Sequence, residues 1–214
     1  MMILSLVALL ASAHGAANAP DGSKLRPGQT CYQTVVDGKV SGSILRTVTR
    51  TDEGWLITIN SNSGGQRMDT QLTVSFADMR PIRLRNDGET FRYRPGGVSI
   101  TGSGGKVSDR SLPDPIWEGS GLEFLVTTLP LAEGASFDIP TWGGGDPQTI
   151  HFEVPDSAMI ETPDGKVPAW RVLKRWADGT PVYYFVAKSD RRLLGMDVVD
   201  VHSRIGGDCS PFRT

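Results

Sequence analysis

The stretch "TLPLAEGASFDIPTWGGGD", Thr128 to Asp146, sets an apolar segment, a glycine turn and three consecutive glycines side by side. A phosphate-binding loop would place such glycines between a strand and a helix N-terminus, so that helix amides face the anion, and would usually add a lysine before serine or threonine. Gly143, Gly144 and Gly145 instead lie between "SFDIP" and "QTIHFEV", two runs with strand character. The triplet reads as the tip of a β-hairpin with Trp142 at its base, and the chain around it as a β-rich module.

Immediately upstream the rhythm differs. After a Pro-rich approach, Leu122, Leu125, Val126 and Leu129 recur at helical spacing, which predicts one short helix over 122–129. Further back, from Thr30 to Arg110, short β-favouring runs alternate with turn dipeptides: Asp37-Gly38, Glu53-Gly54, Gly64-Gly65, Asp87-Gly88, Gly96-Gly97 and Gly104-Gly105. Trp55, Ile57 and Ile59 share one parity, as do Leu72, Val74 and Phe76, so each strand has one apolar face. In "TFRYRP" Phe91 and Tyr93 point one way, and Arg92 and Arg94 form a charged outer face. Downstream, strands are expected at 136–140, 149–154, 159–162, 169–176, 182–187 and 193–201, with turns at Asp164-Gly165, Asp178-Gly179 and Asp190-Arg191. The fold class is therefore mainly β: an antiparallel curved sheet or half-barrel closed on one short α-helix, because the apolar faces of so many strands need a cover.

The first residues carry an uncharged apolar run from Ile3 to Ala11 and an A-x-A site at Ala17-Asn18-Ala19, the pattern of a secretory signal peptide over 1–19. A single β-rich domain over 20–214 is expected to follow, periplasmic or secreted and monomeric. The run is too short to span a bilayer, which needs about 20 apolar residues, and no later segment approaches that length. A formal charge of −2 with both signs interspersed makes nucleic acid a poor partner. Cys31 and Cys209, the only cysteines, would pair in an oxidising compartment if the chain ends meet, and would otherwise remain two separate thiols. Without clustered histidines they make no zinc site, and no cofactor is implied.

The second half also resembles a known family. The order "TLPLAEGASFDIP", a Gly-rich turn, "TIHFEV", "IETPDGKVPAWRVL" and "YYFVAKSDRRLLGMDV", over roughly Pro115 to Val201, is similar to an uncharacterised secreted bacterial family, a domain of unknown function. The resemblance implies a half-barrel sheet around a helix, like that of the periplasmic lipoprotein carriers, and it brings no catalytic residues with it.

Catalytic motifs fail their context. No G-x-S-x-G occurs, and the S-x-x-K match at Ser103 to Lys106 lies in a glycine turn rather than at a helix start. His151 stands near Glu153 and His202 near Asp200 on the same strand faces, the latter reading as a surface pair. Asp109, Asp114, Glu118 and Glu123 read as solvated charges around the helix start. Trp117, Phe124, Trp142, Trp170 and Trp176 are concentrated in the half that resembles the carrier-like family. They are the candidates for binding an apolar ligand between sheet and helix, or alternatively for packing the core. The expectation is a non-catalytic periplasmic protein whose partner is a lipid or acyl ligand or an envelope protein. The alternatives are a hydrolase acting on envelope material and a purely structural or partner-binding module.

Overall fold

The structure, a computed structural model, describes residues 19–176 and 178–212. The expected signal peptide therefore lies outside the described residues, Ala19 excepted. Among the described residues fifteen strands form one sheet. In chain order they are β1 (Gly28–Val36), β2 (Lys39–Arg50), β3 (Trp55–Ser63), β4 (Gln66–Val74), β5 (Pro81–Asn86), β6 (Glu89–Arg94), β7 (Gly97–Thr101) and β8 (Val107–Ser111). Then come β9 (Trp117–Glu118), the helix α1 (Leu122–Thr128), β10 (Ser136–Trp142), β11 (Gln148–Thr162), β12 (Gly165–Arg175), β13 (Pro181–Ala187), β14 (Leu193–Val198) and β15 (Val201–Ile205). Strands β1 and β15 pair in the middle, and the chain runs outward from that pair to β8 on one edge and β9 on the other. Every pairing is antiparallel except the short parallel contact of β9 with β10.

The turn chemistry explains the meander. Asp37-Gly38 and Asp87-Gly88 both take positive φ at the two positions, 49° and 74°, then 47° and 81°. That is the turn geometry whose twist matches the flanking strands, so adjacent runs fold back on each other. Two boundaries differ from the sequence expectation. The runs 149–154 and 159–162 belong to one 15-residue strand, β11, whose register on β12 shifts between Glu153 and Asp156. Pro155, which has no N–H to give the ladder, sits in that irregularity, where a bulge tolerates it. Conversely, the run expected over 193–201 breaks into β14 and β15 at Val199, whose φ is +50°. A β-branched residue in that region gives no turn signal in sequence.

The helix lies inside the curve. A single turn of 3-10 helix, Gly119–Gly121, leads into it, with the Glu118 carboxylate accepting from the Ser120 N–H. A side chain on Gly121 would put its Cβ 2.6 Å from Leu72 Cδ2, so any larger residue there would have to displace the Leu72 side chain. At the other end the Thr127 and Thr128 hydroxyls donate to the Phe124 and Leu125 carbonyls, both at 2.7 Å, and Leu129 turns extended before Pro130. Leu122, Phe124, Leu125 and Val126 are buried in one core with Ile57, Leu72 and Val74 of β3 and β4 and with Phe152, Val172 and Tyr184 of β11, β12 and β13. Burial of each such side chain contributes about 1.5–3 kcal/mol, which is what holds so short a helix in place.

The sheet does not close by hydrogen bonds between β8 and β9. Its edges meet through side chains. Trp142, at the end of β10, is 2% exposed and packs with Val98, Leu112 and Ile116, against Phe91 and Tyr93 of β6. Both rings meet the indole edge-on, with centroids 5.9 and 6.1 Å away. The glycine triplet completes the seam: Arg110 of β8 donates to the carbonyls of Gly144 and Gly145 at 3.0 and 2.7 Å, and Trp142 Nε1 donates to Gly145 O at 2.7 Å. Gly143–Gly145 is thus a hairpin turn between β10 and β11, as read from sequence, with its carbonyls facing the opposite edge. Only Gly144 needs its residue type for backbone reasons, having φ +98°.

Candidate ligand site

The five aromatic candidates do not converge on one cavity. Phe124 lines the cavity described below. Trp117 is buried in the main core, its Nε1 donating to Asp78 O at 2.9 Å. Trp142 belongs to the seam. Trp170 is half-buried under the Arg191 guanidinium, 5.2 Å from its ring centre. Trp176 is exposed, with the buried Lys174 ammonium 3.3 Å from its ring centre. Parity assigns each aromatic to a face of its strand but not to a sector of a sheet this wide.

The cavity, about 290 Å³ and open on one side, lies where the segment before β1, the strands β1 and β2, the helix and the turn before β14 come together. Its apolar walls are Leu25, Val48, Phe124 and Leu193. Its polar lining includes two buried side chains, Tyr32 and Arg46, with charged residues toward the opening. Tyr32 is buried and donates its hydroxyl to Leu193 O at 2.8 Å, and burial pushes the phenol up from its ordinary range. Arg46 is 4% exposed, its guanidinium 4.2 Å from the Tyr32 ring centre, with Nη2 donating to Glu123 Oε2. Burial raises the Glu123 carboxyl and the Arg46 charge opposes that rise. Nε and Nη1 of Arg46 are buried with no hydrogen-bond partner among the described residues. The sequence carried no signal for this pair, since Arg46 and Glu123 lie far apart in the chain and meet only because α1 sits inside the sheet.

Two of the four acidic residues around the helix start are therefore not solvated. Asp109 and Asp114 do form surface pairs, with Arg94 and Arg80. Glu123, by contrast, pairs in the interior, and Glu118 is 4% exposed. Burial lifts the Glu118 carboxyl to about 7, against the pull of the Ser120, Gly119 and Gly121 hydrogen bonds. An acid raised this way binds its proton more tightly when folded. Its contribution is full below the unfolded carboxylate range, about 4.3, and is lost as pH rises through about 7. Urea unfolding at pH 5 and pH 8 should show wild type losing on the order of 3 kcal/mol more than Glu118→Gln over that interval. Parallel pH profiles would mean that Glu118 ionises normally in the folded protein.

The histidines sit on the outside. His151 is half exposed, Nδ1 lying 2.7 Å from Asp138 and Nε2 3.3 Å from Glu153, and the hydrogen bond to Asp138 raises its pKa. His202 pairs with Asp197 across the β14–β15 register at 2.8 Å, not with Asp200, because the break at Val199 separates the two strands. Among the described residues no group of three or more His, Cys, Asp or Glu is placed to hold a metal ion. Ser103 and Lys106 lie in the turn between β7 and β8. Cys31 and Cys209 stand at disulfide distance, Cα to Cα 5.9 Å, where the β1–β15 pairing brings the two ends of the chain together. No helix among the described residues is long and apolar enough to cross a membrane.

These features define an open, barrel-like β-sheet wrapped around a short helix, with a small half-open cavity at the helix. The chain belongs to the family described as "Protein of unknown function (DUF3108)", which it matches over residues 24–198. That match takes in the amino-terminal meander as well as the phrases from Pro115 onward. The fold is similar to the crystal structure of a beta-barrel-like protein of domain of unknown function DUF1849 from Brucella abortus, with a TM-score of 0.52 and 9% identity over 84% of this chain and 94% of that one. No curated protein matches the chain.

Proposed function

We propose that this protein is a non-catalytic, extracytoplasmic binding module that receives an apolar ligand or an apolar part of an envelope component in the cavity beside α1. The observation that carries this reading is the cavity itself: about 290 Å³, half-open, walled by Leu25, Val48, Phe124 and Leu193. That volume is at the low end of small-molecule sites, which are concave, largely apolar and carry a few polar groups. The secretory pattern of residues 1–19 and a cysteine pair at disulfide distance agree with an oxidising compartment. The histidines, held by carboxylates on the outer surface, favour no catalytic reading.

Native mass spectrometry of the protein isolated from a periplasmic fraction should show a bound apolar species. Filling the cavity with Val48→Trp should weaken uptake of the fluorescent apolar probe N-phenyl-1-naphthylamine by at least about tenfold, equivalent to 1.4 kcal/mol of lost contact. A ligand-free protein that takes up no probe would leave a packing or partner-binding role in place of the carrier role.

A further inference from the structure

We infer that the ligand is an amphipathic anion, an apolar chain ending in a carboxylate or phosphate, whose head group is received by Arg46. The inference rests on the binding reading above and adds the chemistry of the head. Arg46 is 4% exposed, yet only Nη2 has an acceptor, while Nε and Nη1 are buried with none among the described residues. Buried charged donors left unsatisfied are costly, and native proteins rarely keep them without an ion, a water or a function. Arg46 lines the cavity, so an acceptor arriving through the open side is the group placed to complete its hydrogen bonds. A guanidinium is the side chain best matched to carboxylate and phosphate oxygens.

The pair with Glu123 is formally neutral, so the charge that would attract an anion comes from the mouth. Lys24, Arg26, Arg191 and Arg192 line it against a single lining acid, Asp190. Lys24 is partnered by Asp21 at 3.6 Å and Arg192 by Asp190 at 3.7 Å. Arg26 and Arg191, by contrast, donate to the backbone carbonyls of Ser23, Thr127 and Leu129 and form no direct ion pair among the described residues, Asp21 acting on Arg191 only from a distance. Leu25, Val48 and Phe124 then offer the surface for a chain. At about 30 Å³ for each water-sized group, the volume takes on the order of ten heavy atoms, with the rest of a longer chain outside.

Titration calorimetry with decanoate, decyl phosphate, decanol, acetate and inorganic phosphate tests this. Decanoate or decyl phosphate should bind at least about tenfold more tightly than decanol, and the tighter of the two identifies the head group. Glu123→Gln should keep that preference, because it leaves the Arg46 guanidinium in place. The double variant Arg46→Met, Glu123→Leu removes the buried pair without stranding a charge, and should shrink the preference for decanoate over decanol by at least about threefold, to what the mouth cations alone supply; an undiminished preference would overturn Arg46 as the receiver of the head group. If wild type binds decanol as tightly as decanoate, the anionic head is overturned while the apolar cavity stands. Binding of acetate or inorganic phosphate as tight as that of the ten-carbon anions would overturn the amphipathic ligand in favour of a free-anion site. If no ten-carbon ligand binds at all, the binding reading itself falls.

Discussion

Trp142→Ala should lower the free energy of unfolding by about 3–5 kcal/mol, the usual cost of removing a large aromatic side chain from a packed interior. The indole is 2% exposed and is the central member of the cluster joining β10 to β6 and β7. Truncation removes both edge-on ring contacts and the Nε1 donor that fixes Gly145 O. No hydrogen-bond ladder joins the two edges there to hold them together once the indole is gone. Arg110→Ala, which removes only the exposed clasp on the glycine carbonyls, should cost no more than about 1–2 kcal/mol. Urea unfolding of the three proteins measures both, and amide exchange should localise the Trp142→Ala effect to β8, β9 and β10. A Trp142→Ala protein within about 1 kcal/mol of wild type would mean that the seam contributes little to stability.

The other large effect belongs to the cysteines. Their separation is 178 residues, and closing a loop of that length restricts the unfolded chain by roughly 5 kcal/mol in the chain-entropy description. Cys31→Ser with Cys209→Ser should therefore destabilise the protein by several kcal/mol, up to about 5, and wild type in dithiothreitol should behave in the same way. The cysteine pair stands beside the one strand pairing among the described residues that joins the first half of the chain to the second, β1 with β15, where Tyr32 faces Ile205. Non-reduced tryptic mapping of exported protein should recover the two cysteines in one linked peptide. Recovery as separate alkylatable thiols, with an unchanged urea midpoint in the serine variant, would assign the union of the chain ends to the β1–β15 ladder alone.

Local rules carried the architecture. Asp-Gly and Gly-Gly turns and single-parity apolar runs identify hairpins because both act between neighbours in sequence, and the helix over 122–129 differs from α1 by one residue. What they miss is whatever depends on the curl of the whole sheet. Nothing near Arg46 or Glu123 in sequence indicates that they meet, and Glu118 reads as solvent-facing until the seam folds over it. Trp142, Trp170 and Trp176 look like one aromatic group by composition but occupy the seam, a half-buried flank and an exposed surface, because strand parity fixes a face and not an angular position around the axis. Val199 shows a second limit. Its backbone conformation is imposed by the β14–β15 hairpin, against the preference of its own side chain.

The pairing of β1 with β15 at the centre of the sheet has a kinetic meaning. Apart from the short parallel β9, each wing is a succession of neighbouring hairpins, built from contacts of short sequence separation that form early and independently. Joining them requires the first strand to wait for the last, a loop closure that spans most of the chain and returns free energy only when it is complete. During synthesis the strand at the spine of the sheet is thus made first and stays unpaired on one side until residue 205 is available. In that interval the exposed ladder of β1, rather than either outer edge of the finished sheet, is the stretch most open to pairing with another chain.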